Sequence, residues 1–115
     1  MTINDISLRK KEAALHASIQ ENMTLNITDG ESKILDTNNS LCHLLKAMTL
    51  EIKKENNVIA NFSLLVQCEV ALEEKEVFKD SVFTDLIKPY FYSHFLQMMG
   101  DFKLPPFSYS MFMKK

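Results

Sequence analysis

The chain has 115 residues, 46% of them hydrophobic and 24% charged, with a net charge of −2 and a pI near 5.9. This length supports one domain, residues 1–115, with its own core, and the composition excludes a disordered chain. The slightly acidic balance excludes electrostatic binding of nucleic acid, which needs a clustered surplus of Lys and Arg, and the one basic run, Arg9-Lys10-Lys11, reads as solvated surface.

No apolar run approaches the length needed to cross a bilayer, and residues 1–5 lack the charged-then-apolar pattern of a secretion signal. The expectation is a cytoplasmic protein without membrane insertion. In that setting Cys42 and Cys68 read as reduced core thiols, with a spacing that suggests neither a disulfide framework nor a zinc knuckle.

Residues 1–12 are polar and weakly patterned, which reads as a flexible start. From there Ala13, Leu15, Ala17, Ile19, Met23, Leu25 and Ile27 alternate with polar positions, apart from Glu21. A period of two predicts a strand, with a break near Glu21 and Asn22, although the helix formers over residues 8–20 leave a helix open there. Asp29-Gly30-Glu31-Ser32 predicts a turn, and residues 36–40 predict a second polar break.

Leu44, Met48, Leu50 and Ile52 then alternate with Thr49, Glu51 and Lys53, and Lys53-Lys54-Glu55-Asn56-Asn57 separates them from the clearest pattern in the chain. That pattern covers residues 58–72, where Val58, Ala60, Phe62, Leu64, Val66, Cys68, Val70 and Leu72 occupy every second position. The two runs and their turn predict an antiparallel hairpin with one apolar face, which needs a covering layer.

Phe83, Leu86, Ile87, Tyr90, Phe91, His94, Phe95, Met98 and Met99 recur at spacings of three and four, which predicts an amphipathic helix capped near Asp80 or Ser81 and stopped at Gly100. Pro89 predicts that this helix starts at Pro89, with residues 84–88 as a preceding turn. Residues 102–115 contain Pro105 and Pro106 yet carry Phe102, Leu104, Phe107, Tyr109 and Phe112, which predicts an irregular tail that packs on something. The fold class is therefore α+β: an antiparallel sheet of about four strands with one main amphipathic helix packed on one face.

Leu86 and Ile87 before Pro89-Tyr90, a helix ending at Gly100, Phe102, then Leu104-Pro105-Pro106-Phe107-Ser108-Tyr109 and Phe112 together resemble the SecB export-chaperone family over residues 44–112. Phe91 and Tyr92 stand where the family has an arginine, Ser108-Tyr109 where it has Asn-Phe, and Ala71 near where it has a glycine. With the chain reaching only Lys115, the family's second long helix and acidic tail are expected to be reduced or absent, so the resemblance does not carry over docking to the SecA motor. What it does imply is an ATP-independent holdase for unfolded polypeptide, with a possible link to protein export, working as a dimer or as the family's tetramer and without a cofactor. Eight Phe, three Tyr and seven Met are compatible with such adaptable apolar surface.

Aromatic and Met side chains on the helical and strand stripes are read first as core. The client-binding candidates are those off the stripes or on the tail: Phe78, Phe102, Phe107, Tyr109, Met111, Phe112 and Met113, for which tail packing or a subunit interface is an equal alternative. No catalytic role is expected. Cys42 and His43 fall on opposite faces of a strand, the Cys42, His43, Cys68 and His94 set lacks the paired spacing of a metal site, and Glu73-Glu74-Lys75-Glu76 reads as a solvated charge run. The alternative to a general holdase is a module for one dedicated partner, such as an antitoxin-dedicated chaperone, or a structural subunit that kept the fold.

Overall fold

A computed structural model describes residues 1–17, 23–38 and 40–101 of the chain. Its centre is the expected hairpin, formed by β4 (Leu41–Lys54) and β5 (Asn57–Ala71), paired antiparallel from Lys54↔Asn57 to Leu41↔Ala71. Glu55 turns the chain with a φ of 57°. Fifteen residues at about 3.3 Å each make β5 about 50 Å long, which matches the longest dimension of the molecule, 50 Å.

Alternation places Cys42, Leu44, Met48, Leu50 and Ile52 of β4 on the inner face with Ala60, Phe62, Leu64, Val66, Cys68 and Val70 of β5, all buried. A bulge at the turn end, where Ile52 pairs Ala60 but Lys53 pairs Val58, leaves Ile59 unpaired and buries it as well. Val58 and Leu72, which the simple period places inside, are half-buried; Leu72 lies beyond the strand, where its amide donates to the Ser40 carbonyl at 2.7 Å.

Among the described residues the sheet has five strands. β1 (Thr2–Leu15) lies beside β5, while β2 (Thr24–Asp29) and β3 (Lys33–Asn38) lie end to end along the other edge of β4. The expected flexible start is thus a 14-residue strand, and the strand expected over residues 13–27 is instead the end of β1 and, beyond a connection partly outside the described residues, β2. The reason is register. Two irregularities, between Ile3 and Asp5 and between Leu8 and Lys10, let Ile3, Ile6, Leu8, Ala13 and Leu15 stand opposite Val70, Cys68, Val66, Phe62 and Ala60, so β1 follows the inner face without a period of two. The expected break at residues 36–40 is also corrected, since Asp36, Thr37 and Asn38 pair with His43, Cys42 and Leu41.

Residues 29–32 do not reverse the chain. They interrupt one edge strand: β2 ends at Asp29 opposite Met48, and β3 begins at Lys33 opposite Leu45. Gly30 donates its amide to the Ala47 carbonyl at 2.9 Å, and a Cβ on Gly30 would sit only 3.3 Å from that oxygen, so the close approach suits glycine.

The inner face is covered by α1 (Asp80–Asp101), a 22-residue helix that runs through Pro89 instead of starting there. Phe83, Ile87, Phe91, Phe95 and Met98 form one buried stripe across the proline, joined by Thr84, Tyr92 and Met99. A mid-helix proline costs about 3 kcal/mol, while burying Phe83 and Ile87 in the N-terminal half contributes about 1.5–3 kcal/mol each; continuity wins. Pro89 is exposed, and the carbonyl it leaves without a donor is that of exposed Asp85, within reach of water. The first helical bond runs from the Phe83 amide to the Lys79 carbonyl, so Lys79 holds the cap position expected of Asp80 or Ser81, and Gly100 lies inside the last turn. Leu86, expected on the buried stripe, is 48% exposed, while Tyr90 and His94 are half-buried with ring centroids 4.6 Å apart. Among the described residues no helix is long and apolar enough to cross a membrane.

Replacing Pro89 with Ala should stabilise the protein by about 1–3 kcal/mol in denaturant unfolding. A neutral or destabilising result would return the helix start to Pro89.

Candidate client-binding surface

The core leaves a group of apolar side chains uncovered at the start of α1. After β5 the chain makes a tight turn, with the Glu76 amide donating to the Glu73 carbonyl at 2.9 Å and Lys75 at a φ of 65°. The next two residues then part company. Phe78 packs on the core with its ring 5.6 Å from that of Phe83, and Val77 faces water at 72% exposure. Val82 and Leu86, one helical turn apart and outside the buried stripe, are 44% and 48% exposed. Val77 and Val82 share a cleft of about 380 Å³ with Met1, Lys75, Glu76 and Lys79. This shoulder is apolar with a charged rim, the arrangement that accepts apolar side chains of another polypeptide.

Of the seven client-binding candidates named from the sequence, the structure places Phe78 against the core beside this shoulder; Phe102, Phe107, Tyr109, Met111, Phe112 and Met113 lie outside the described residues. The sequence reading missed Val77, Val82 and Leu86. The signal was present in the helix phase, because a helix starting at Asp80 puts Phe83 and Ile87 inside and Val82 and Leu86 beside them, but a start at Pro89 hides that phase.

Two edges add backbone to this surface. β1 offers one, with Leu8 and Leu15 partly exposed; β2 and β3 offer the other, with Ile34 and Leu35 at 48% and 44% exposure. Such edges present N–H and C=O groups to an extended chain.

Lys46 is a second residue that the strand pattern contained and the sequence reading passed over. It occupies an inward position between Leu44 and Met48 and is 1% exposed. Its stem packs inside while Nζ reaches the interruption of the edge strand, donating to the Gly30 carbonyl at 2.6 Å and lying 3.6 Å from Asp80 Oδ1. Ser32 Oγ donates to the same Asp80 oxygen. These contacts join the edge strand to the first turn of α1, beside the shoulder. They border a cleft of about 440 Å³ also lined by Glu31, Thr84 and Lys88.

Cys42 and His43 lie on opposite faces, as strand geometry requires, with Cys42 buried and His43 on the outer side. Burial pushes the Cys68 thiol up to about 12 and raises that of Cys42. Thiols so raised are poor nucleophiles near neutral pH. Among the described residues no group of three or more His, Cys, Asp and Glu side chains has the placement to hold a metal ion.

Among solved structures, the Mycobacterium tuberculosis Rv1957 SecB-like chaperone, in complex with a ChAD peptide from the Rv1956 HigA1 antitoxin, superposes on this chain with a TM-score of 0.70, covering 93% of this chain and 86% of that one. The fold is SecB-like. Sequence identity is 17%, and the match is wider than the stretch at residues 44–112 that carries the sequence resemblance. No family model matches the sequence, and neither does any curated protein.

The role of Lys46 is separable by substitution. Lys46→Met keeps the buried stem and should change stability by less than about 1 kcal/mol, whereas Lys46→Ala leaves a cavity and should cost about 2–4 kcal/mol. Equal losses in the two variants, measured by chemical unfolding, would show that the charge and not the stem matters.

Proposed function

We propose that this protein is an ATP-independent chaperone that holds unfolded or partly folded polypeptide on apolar surface. The observation that carries this reading is the SecB-like sheet-and-helix core with Val77, Val82 and Leu86 left uncovered beside it. A holdase needs no chemistry. It needs apolar area that competes with a client's own collapse, and backbone edges that bind without regard to sequence. Phe78 supports this surface from below, by packing Val77 outward. Phe102, Phe107, Tyr109, Met111, Phe112 and Met113 are proposed to add contacts from the chain beyond α1, and assembly into a dimer or tetramer would multiply the apolar sites. A link to protein export rests on the family resemblance.

A second reading has its own support. The M. tuberculosis protein of the same fold is bound to a peptide from an antitoxin, so a chaperone dedicated to one partner fits the same surface.

One assay separates the two. At stoichiometric ratios and without ATP, a general holdase suppresses aggregation of several unrelated denatured proteins, whereas a dedicated chaperone protects a single partner; failure to protect any of them counts against both. The double substitution Val82→Ser and Leu86→Ser should weaken client capture by about tenfold, from about 1.4 kcal/mol of lost apolar contact, with the circular dichroism spectrum unchanged. If capture is unaffected, the shoulder is not the client site. Phe107→Ser with Phe112→Ser should act in the same direction, and loss of folding in that variant would assign the two rings to the core.

A further inference from the structure

On the face of the sheet away from α1, one histidine touches carboxylates from two neighbouring strands. His43 of β4 has Nδ1 2.6 Å from Asp36 Oδ1 of β3 and Nε2 3.0 Å from Glu69 Oε1 of β5. A neutral imidazole carries one N–H and so can donate to only one of them. Both contacts are hydrogen bonds only when the ring is the doubly protonated cation. The surroundings favour that cation: Asp5 and Arg9 of β1 line the same small hollow of about 250 Å³, so three carboxylates, Asp36, Glu69 and Asp5, face His43 against one guanidinium. Arg9 Nε is engaged with Gln67 Oε1 at 2.8 Å, and Asn4 Nδ2 donates to Glu69 at 3.3 Å, which carries the row on to β1.

Apart from the tether of Gly30 and Ser32 at its start, little else holds β3. All six of its residues are exposed, among the described residues it pairs only with β4, and its ladder is interrupted between Ile34 and Asp36. β5, by contrast, is paired on both sides from Ala60 to Ala71. We propose that Asp36, His43 and Glu69 form a proton-operated clamp on edge strand β3: the charged imidazole holds β3 against β4, and loss of its proton lets β3 go and opens the edge of β4 between Leu41 and Leu45. In one neutral tautomer Asp36 keeps a hydrogen bond but loses the opposite charge that made the contact an ion pair; in the other it faces a lone pair. Either way β3 loses hold, while the long β4–β5 ladder keeps its own. Hydrogen bonding to Asp36, and next to Glu69, raises the pKa of His43 above its ordinary value. A raised folded-state pKa means that the clamp is fully engaged below the unfolded value of about 6.5 and is lost as pH rises through the folded one.

The test is amide hydrogen exchange by NMR, read as protection factors between about pH 5.5 and about pH 8.5, on either side of the usual imidazole range, together with the titration of the His43 ring. Protection of the β3–β4 amides should fall by about tenfold as His43 deprotonates, with the β4–β5 amides unchanged. His43→Gln should abolish the pH dependence, and Asp36→Asn should lower the ring's titration midpoint more than Glu69→Gln does. The clamp is overturned if His43 titrates at or below the ordinary midpoint, if β3 protection does not follow the ring, or if His43→Gln keeps the pH dependence. None of these readouts involves a client, so the clamp stands or falls independently of the chaperone reading.

Discussion

The structure depends on one constraint: the β4–β5 hairpin carries a continuous apolar face about 50 Å long at about 3.3 Å per residue, and that face cannot be left in water. Eleven inward apolar residues from the two strands, Cys42 to Val70, supply it, and the α1 stripe from Phe83 to Met98 covers it. Everything else follows the placement of that cover. A 22-residue helix at about 1.5 Å per residue spans about 33 Å, shorter than the sheet it sits on, and its phase is fixed by the buried stripe. Once Phe83 and Ile87 point inward, Val82 and Leu86 must lie beside them and face outward. The uncovered shoulder is thus a geometric by-product of covering the sheet, available for use at no further structural cost.

The hairpin and its covering helix were legible in the sequence because both keep a strict period. β1 and β3 were not, and the cause in each is an irregular register. In β1 the positions opposite the inward residues of β5 run Ile3, Ile6, Leu8, Lys11, Ala13 and Leu15, so the two irregularities turn the spacings 3 to 6 and 8 to 11 into three, and a simple alternation search sees only a polar, unpatterned start. In β3 the shift between Ile34 and Asp36 does the same over six residues. Pro89 misled for a different reason: its local cost is real, but the burial on either side outweighs it. Lys46 shows the reverse case, a position the pattern fixed as inward while the residue type argued against it; a long stem and an exit beside Gly30 resolve the conflict. Of the candidate client residues, Phe78 precedes the helix and packs on the core beside Phe83, while its neighbour Val77 is the exposed one.

The same irregularities bear on how the sheet manages its two edges. Bulges and the charges Asp5, Arg9, Lys10 and Glu12 break up β1 as a template for indiscriminate pairing, and the interruption at residues 30–32 does so on the opposite edge. Under the proposed chaperone role, edges have to stay accessible without associating at random. Here one edge is long and charged, and the other is split into two short strands whose junction is fastened to α1 through Lys46, Ser32 and Asp80.

Energetics decide how such a surface can work. Fully burying a Val or Leu is worth about 1.5–3 kcal/mol, and Val77, Val82 and Leu86 are already partly covered, so the three together offer a client roughly 3 kcal/mol. That falls short of the roughly 4 kcal/mol corresponding to millimolar affinity. One shoulder therefore gives a contact that forms and breaks quickly, as the proposed holdase role would need. In the proposed role, holding would require additional sites on the same client, from backbone pairing at an edge or from further copies of the shoulder, because linked weak sites gain affinity through effective concentration without any single site becoming tight. The weakness of the individual contact and the need for several of them are the same physical fact.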